Sequence, residues 1–314
     1  MTGKQGSMKK RKPVTKQKII YSVIALIIAI ITFVFEESGI WNKIDTALTG
    51  TTHIELEDGE TAAEVHFIDV GQGDCALIVS RNETILIDSG EAESAQIILD
   101  KFTEIGIDEL NYVVVTHSHS DHMGAMAEIL DNIPTQKIII SQPTDDAAET
   151  SIYQEFLDSV ENSNAKVILA EPDYSFILGA TECRILSPFN VSSSEENNNS
   201  VVMHVTAGKT SFLFTGDAEK AVETEIVNKY GKIDATILKV GHHGSSTSSS
   251  AGFLEAVSPE VAVIPVGKGN KYGHPTDKTI SNLKKYTDTI YRTDKHGTIT
   301  FTCTQDDYTV RTEK

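Results

Sequence analysis

Residues 117 to 122 read His-Ser-His-Ser-Asp-His, three imidazoles and a carboxylate in one turn of chain. Neutral imidazole and carboxylate are the donors that a borderline-soft divalent cation prefers, and such a density of them is hard to produce by packing alone. The cluster is expected to hold metal. His117 and His119, two apart, project to the same side of an extended chain. Adjacent Asp121 and His122 diverge in a regular element, but in a turn they reach a second ion beside the first. The spacing therefore suggests a binuclear site. Held with an open coordination position, such a cation activates water at neutral pH without a serine or cysteine nucleophile.

The elements that position these groups are legible around them. Tyr112-Val113-Val114-Val115-Thr116, directly upstream of the cluster, is a β-branched run that suits a buried strand. Three other runs end the same way: Thr84 to Ile87 is followed by Asp88, Ser211 to Thr215 leads through Gly216 to Asp217, and Ala235 to Val240 leads through Gly241 to His242 and His243. Four predicted strands thus deliver ligand-type residues at their ends, where loops vary while strands hold position. Further strands are expected at Glu64–Val70, Cys75–Ser80, Lys137–Ser141, Lys166–Ala170, Ser175–Leu178, Glu182–Leu186, Ser200–Thr206, Val261–Val266 and Gly297–Cys303. Helical periodicity marks Ala92–Ile105, Gly124–Asp131, Ser151–Glu161, Glu219–Tyr230, Ser250–Val257 and Asp277–Tyr286. Two facing sheets covered outside by helices, a four-layer α/β sandwich, accommodate both sets.

Residues 1–18 carry seven Lys or Arg and no acid, and Ile19 to Phe35 is an uncharged, largely apolar run. That pattern predicts a basic cytoplasmic tail, one transmembrane anchor over 19–35, a tether over 36–62 and an outward-facing domain over 63–314. No small-residue cleavage site follows the apolar run, so the anchor is expected to stay. The 27 bases less those seven leave 20 against 45 acids, near −25 for the exported part, which excludes generic affinity for polyanions. One stretch is different: Gly267 to His296 holds Lys268, Lys271, Lys278, Lys284, Lys285, Arg292 and Lys295 against three aspartates. It forms either a local basic rim or a solvated helix face. The three widely spaced cysteines, Cys75, Cys183 and Cys303, imply no disulfide framework.

Several stretches resemble the metallo-β-lactamase-fold hydrolases, and within them the extracellular hydrolase-like domain of the ComEC-type competence proteins. They are His66 to Asp74, Leu86 to Gly90, Thr116 to His122, Asn199-Ser200, Thr215 to Asp217, Leu238 to Ser245 and Tyr272 to Pro275. The resemblance implies a four-layer αββα fold and one or two divalent ions, zinc or manganese. It places His117 and His119 on one metal, Asp121 and His122 on the other, and Asp217 between them. One histidine after Val240 completes the second site: His242 is preferred, with His243 then free to bond a phosphate oxygen. Asp88 is expected to orient the metal loop. No third histidine is apparent for the first metal, because His204 lies within an apolar strand pattern, and Asn199 and Ser200 are expected to line that position. Asp121, His243 and His274 are the catalytic candidates.

The ComEC-type proteins also carry a many-helix channel that a single apolar run cannot supply, so transport is not implied. The expected activity is phosphodiester hydrolysis, with DNA as one candidate substrate and a small or cell-wall phosphoester as another. A non-catalytic module that binds DNA or a partner is the rival class. No obligate protein partner is inferable.

Overall fold

The computed structural model describes Leu56, residues 59–192 and residues 194–314. The basic tail, the apolar run 19–35 and most of the 36–62 tether lie outside these residues. Among the described residues no helix is long and apolar enough to cross a membrane. Residues 54–314 make up one compact unit.

Among the described residues, fifteen strands form two sheets. The first contains β1 (Ala63–Phe67), β2 (Ala76–Ser80), β3 (Glu83–Ile87), β4 (Leu110–Val115), β5 (Thr135–Ile140), β6 (Lys166–Leu169), β14 (Ile299–Cys303) and β15 (Tyr308–Thr312), in the order β15-β14-β1-β2-β3-β4-β5-β6. The second contains β7 (Ser175–Leu178), β8 (Thr181–Ser187), β9 (Val202–Ala207), β10 (Thr210–Phe214), β11 (Ile237–Lys239), β12 (Val261–Ile264) and β13 (Thr289–Arg292), in the order β13-β12-β11-β10-β9-β8-β7. Each sheet is antiparallel at one end and parallel at the other: β3, β4, β5 and β6 run parallel, as do β10, β11, β12 and β13. The crossovers of the parallel halves are helical, which is what such connections require. They supply α1 (Ala95–Ile105), α2 (Ser120–Met123), α3 (Met126–Asn132), α4 (Ser151–Ser163), α5 (Lys220–Tyr230), α6 (Ala251–Val257) and α7 (Asp277–Leu283).

Strand alternation sorts the apolar side chains into three layers. Val65, Phe67, Ile85, Val114 and Ile139 of the first sheet meet Val205, Phe212, Phe214 and Val263 of the second in a central core. The opposite face of the first sheet, with Leu77, Leu86 and Val113, packs on Ile98, Phe102, Ile129 and Phe156 from α1, α3 and α4. Leu213, Leu238 and Ala262 pack likewise on Val222, Ile226, Phe253 and Leu254 from α5 and α6. The sandwich expected from the sequence is the one observed. Two strands escaped the sequence reading, β13 and β15. Both lie at sheet edges and are only partly buried, so neither has a continuous apolar run.

An aromatic cluster clamps the sheets together. Phe67 stacks on Phe214 at 5.7 Å, Phe212 meets Phe301 edge-on at 5.7 Å, and Phe67 meets Phe301 edge-on at 5.9 Å. All four are essentially inaccessible. Equilibrium denaturation of Phe301→Ala should therefore show a loss of about 3–5 kcal/mol, the cost of an unfilled aromatic site in a core. A loss below about 1 kcal/mol would mean that the sheets are not joined there.

Candidate metal centre

The strand ends of both parallel halves meet at one edge of the sandwich. After β4, Thr116 to His119 turn into α2, which carries Asp121 and His122. Asp88 follows β3 in the left-handed region, at φ 58°, where aspartate is among the few side chains tolerated. Its carboxylate accepts from Thr116 N (2.8 Å), Thr116 Oγ1 (2.7 Å) and His122 Nδ1 (2.8 Å). Since Thr116 Oγ1 gives its proton to Asp88, it is left to accept from His117 Nδ1 at 3.1 Å. One carboxylate thus fixes two imidazoles, His122 directly and His117 through a hydroxyl, and leaves both Nε2 lone pairs facing inward. Metal-ligating histidines are held in this way.

From the second sheet, Asp217 follows β10 through Gly216, and its backbone N–H donates to Ser200 Oγ at 3.0 Å. Asp217 Oδ1 lies 3.2 Å from His122 Nε2. After β11 the chain passes through His242 and His243, both at φ 50°. Two successive left-handed residues cost roughly 1–2 kcal/mol each, and they turn the two rings in different directions. His243 is buried. Its Nδ1 lies 3.1 Å from Pro265 O, which fixes the proton there, and its Nε2 points at Asp121 Oδ2 (3.1 Å) and Asp217 Oδ2 (3.7 Å). His242 stands at the rim, half-buried, with Nε2 3.6 Å from Asp217 Oδ2 and Nδ1 near Asn197, Glu219 and Thr247. Of the two, the sequence preferred His242; the interior position belongs to His243, because backbone handedness selects the second ring of the pair.

The other expected residues fall as follows. His119 is exposed, with Nδ1 3.1 Å from His117 Nε2. His274 shares a cleft of about 280 Å³ with Gln72, His119, Asp121, Asp217, His242, His243 and Tyr272. Ser200 Oγ lies 3.5 Å from His117 Nδ1, the nitrogen turned away from the interior, and accepts from Asp217 N, so it supports these two residues from behind. Asn199 does not line that position: its amide closes its own loop by accepting from Ser192 N (2.7 Å) and donating to Ser192 O (3.0 Å). Asn197 is the asparagine that reaches the centre's rim. His204 lies on β9 with Nε2 3.2 Å from Asp234 O, away from the cluster.

Three groups had no assigned role in the sequence. Asp74, at the end of Gly71-Gln72-Gly73-Asp74, is buried against His243 Nδ1 at 3.2 Å and pairs with the Lys239 ammonium, which also donates to Gly216 O at 2.7 Å. The loop sits so close to the metal turn that a Cβ at Gly73 (φ 131°) would collide with Asp121 O. A glycine-rich turn before a strand was the available signal. Glu196 accepts from Ser118 N and Thr144 N, both at 2.8 Å, and so ties the metal turn to its neighbour. Burial raises its carboxyl's pKa, but those backbone bonds outweigh that and hold it below the usual range. An isolated glutamate in a polar loop carries no sequence signal for this role.

The electrostatics are those of a cation site. Burial disfavours charge on every group here, yet Asp217, Asp88 and Asp74 draw His122 well above its usual pKa, and Asp217 and Asp74 push His243 up to about 10. Burial would raise Asp217, but His122 and His243 hold it well below the carboxylate range. His117, buried beside His122, is driven well down and stays neutral. Among the described residues, His117-His122-Asp217, Asp121-His122-His243 and Asp74-Asp217-His243 each bring ligand atoms within 4.8 Å of one another. His122 Nε2, His243 Nε2, Asp217 Oδ1 and Asp74 Oδ1 are buried without a well-formed hydrogen bond. Orphaned polar atoms cost stability unless something joins them. The donor set, its tautomers and its orphaned atoms fit a divalent cation.

The profile of the Metallo-beta-lactamase superfamily matches residues 68–268, and the chain belongs to that superfamily. Its relatives include "ComE operon protein 3" of Bacillus subtilis, 30% identical over 261 residues, covering 76% of this chain and 33% of that protein. "Competence protein ComA" of Neisseria gonorrhoeae is 32% identical over 244 residues, covering 77% and 32% respectively. The ComEC-type resemblance thus extends over three quarters of the chain, while the chain spans about a third of the length of those relatives. Among solved structures, CmlA, a diiron beta-hydroxylase from Streptomyces venezuelae, shares the fold with a TM-score of 0.52 at 15% identity, covering 78% of this chain and 55% of that one.

Replacing Asp88 by Asn keeps a residue suited to φ 58° but removes the charged acceptor. Asp88→Asn should weaken metal binding about 10- to 100-fold in a chelator competition, with far-UV circular dichroism unchanged. Unaltered affinity would show that Asp88 does not orient the ligands. Zinc or manganese at about 100 times its Kd should raise Tm by about 5–10 °C, following from about 2.7 kcal/mol of linkage. A Tm indifferent to both ions would contradict a metal centre.

Proposed function

We propose that this protein is a membrane-anchored, outward-facing, metal-dependent phosphodiester hydrolase. What carries the reading is the convergence of His117, His122, Asp121, Asp217 and His243, from both sheets, with inward Nε2 atoms and orphaned carboxylate oxygens at the floor of an open cleft. His119 and Asp74 complete the candidate ligand set. When bound there, zinc or manganese supplies a Lewis acid and makes water acidic enough to attack at neutral pH.

The chain's own residues do the rest. Asp88, with Thr116, holds His117 and His122 in one tautomer, and Pro265 O does the same for His243. The Lys239 ammonium holds Asp74 and Gly216 O, so that the loops before β2 and after β10 stay in register. On the cleft wall, Gln72 Nε2 and His274 Nδ1 are buried atoms without partners. His274, its pKa lowered by burial and by His242, stays neutral and so steadies the departing oxygen by a hydrogen bond, while water supplies that oxygen's proton. DNA is one substrate that suits this chemistry, and a small or cell-wall phosphoester is the other.

A binding role without catalysis is the second reading, favoured by His204, the one candidate for a third imidazole, facing Asp234 O instead of the cluster. Turnover of bis-nitrophenyl phosphate separates the two. The metal-loaded protein should hydrolyse it, chelation should abolish the activity and restored metal should return it. His243→Ala should lower kcat/KM on the order of 100-fold, and more than His242→Ala does. Metal-loaded protein that is inert on every phosphodiester tried, or His242→Ala as the more damaging change, would contradict this assignment.

A further inference from the structure

The cleft is asymmetric. One wall is the loop from Gly267 to Pro275, held rigid by Asn270, whose Oδ1 accepts from Tyr272 N (3.1 Å) and His274 N (3.0 Å) and whose Nδ2 donates to Gly267 O (3.1 Å) and His274 O (2.7 Å). Gln72 Oε1 accepts from Gly267 N at 3.1 Å and docks this loop on the Asp74 loop. The loop presents Tyr272, a large aromatic ring 53% exposed at the cleft, stacked beside His274 at 5.8 Å with 24° between the planes. Lys271 Nζ stands 5.1 Å from the same ring, and Lys278 reaches Ser246 O at 3.4 Å. The unpartnered Gln72 Nε2 and His274 Nδ1 are on this side. On the other side of His119, a groove of about 580 Å³ is lined by Asp146, Glu195 and Glu196 among hydroxyls. An anionic polymer is repelled there and attracted over Tyr272.

We propose that Tyr272 is the stacking platform for the unpaired nucleobase next to the phosphodiester at the metal centre, with Lys271 holding the adjoining phosphate. This takes the phosphodiester reading as its starting point and adds a polarity to the cleft. An exposed ring in a basic setting is how proteins bind single strands without sequence preference, because every base has a π-face. A single strand also presents the base unpaired, whereas a duplex hides it.

The test compares fluorescence anisotropy of labelled oligothymidylate with that of an abasic strand of equal length. Full-length wild type, Tyr272→Ala and Tyr272→Trp are titrated under chelation so that the strands stay intact, and turnover with metal is followed in parallel. Tyr272→Ala should raise the Kd for oligothymidylate about 10-fold, Tyr272→Trp should hold it, and the abasic strand should bind weakly and equally to all three. Equal affinity of wild type and Tyr272→Ala for oligothymidylate would overturn the inference. So would an equal loss on both strands, or a Tyr272 effect confined to a phosphocholine-bearing polymer. Tyr272-dependent binding without any turnover would leave the platform standing and remove the hydrolase. Turnover indifferent to Tyr272 and to missing bases would remove the platform alone.

Discussion

Four carboxylates, Asp74, Asp88, Asp121 and Asp217, are gathered at one edge of the sandwich, three of them almost wholly buried, with the Lys239 ammonium among them. Charges taken out of water are costly unless paired and hydrogen-bonded. Lys239 offsets one, and Asp88 is met by Thr116 and His122. The remainder must be balanced by protons on His122 and His243 or by a cation in their place. Metal binding and protonation compete for the same lone pairs in such a site. Much of the surrounding structure serves that balance: Gly73 lets the Asp74 loop approach, the left-handed turn at 242 and 243 aims one ring inward, and Glu196 ties down the turn that carries the histidines.

The sandwich makes this gathering possible because each sheet contributes a parallel half. Parallel strands put successive carboxyl ends at one edge, so β3 and β4 bring Asp88 and the His117–His122 turn together, while β10 and β11 bring Asp217 and His243. The Phe67, Phe212, Phe214 and Phe301 cluster holds the two edges in register. A displacement of about 1 Å between sheets would separate donors contributed by different sheets, which is reason enough for the densest aromatic packing to lie between them.

Much of this was readable in the sequence, for identifiable reasons. Long apolar runs such as Tyr112 to Val115 mark central strands, and a His-Ser-His-Ser-Asp-His turn after one of them can hardly be placed anywhere but at a strand end. The edge strands β13 and β15 were not readable, since a half-exposed strand loses the apolar continuity by which strands are found. Nor could the pair His242-His243 be resolved, because a φ of 50° at each residue decides which ring faces inward and leaves no trace in residue type. Asn199 was expected to face the centre and instead closes its own loop on Ser192, while Asn197, two positions earlier in the same short helix, reaches His242. Asp74 was visible as part of a motif, but its partner Lys239 lies 165 positions away, and only the fold joins them.

Anomalous diffraction from crystals of the manganese-loaded protein addresses this centre most directly. A peak bounded by His122, His243, Asp121 and Asp217, with His242 outside its coordination distance, is the expected result. Manganese found elsewhere in well-ordered crystals, or a cluster that remains empty at saturating metal, would contradict the assignment of these residues as the cation's ligands.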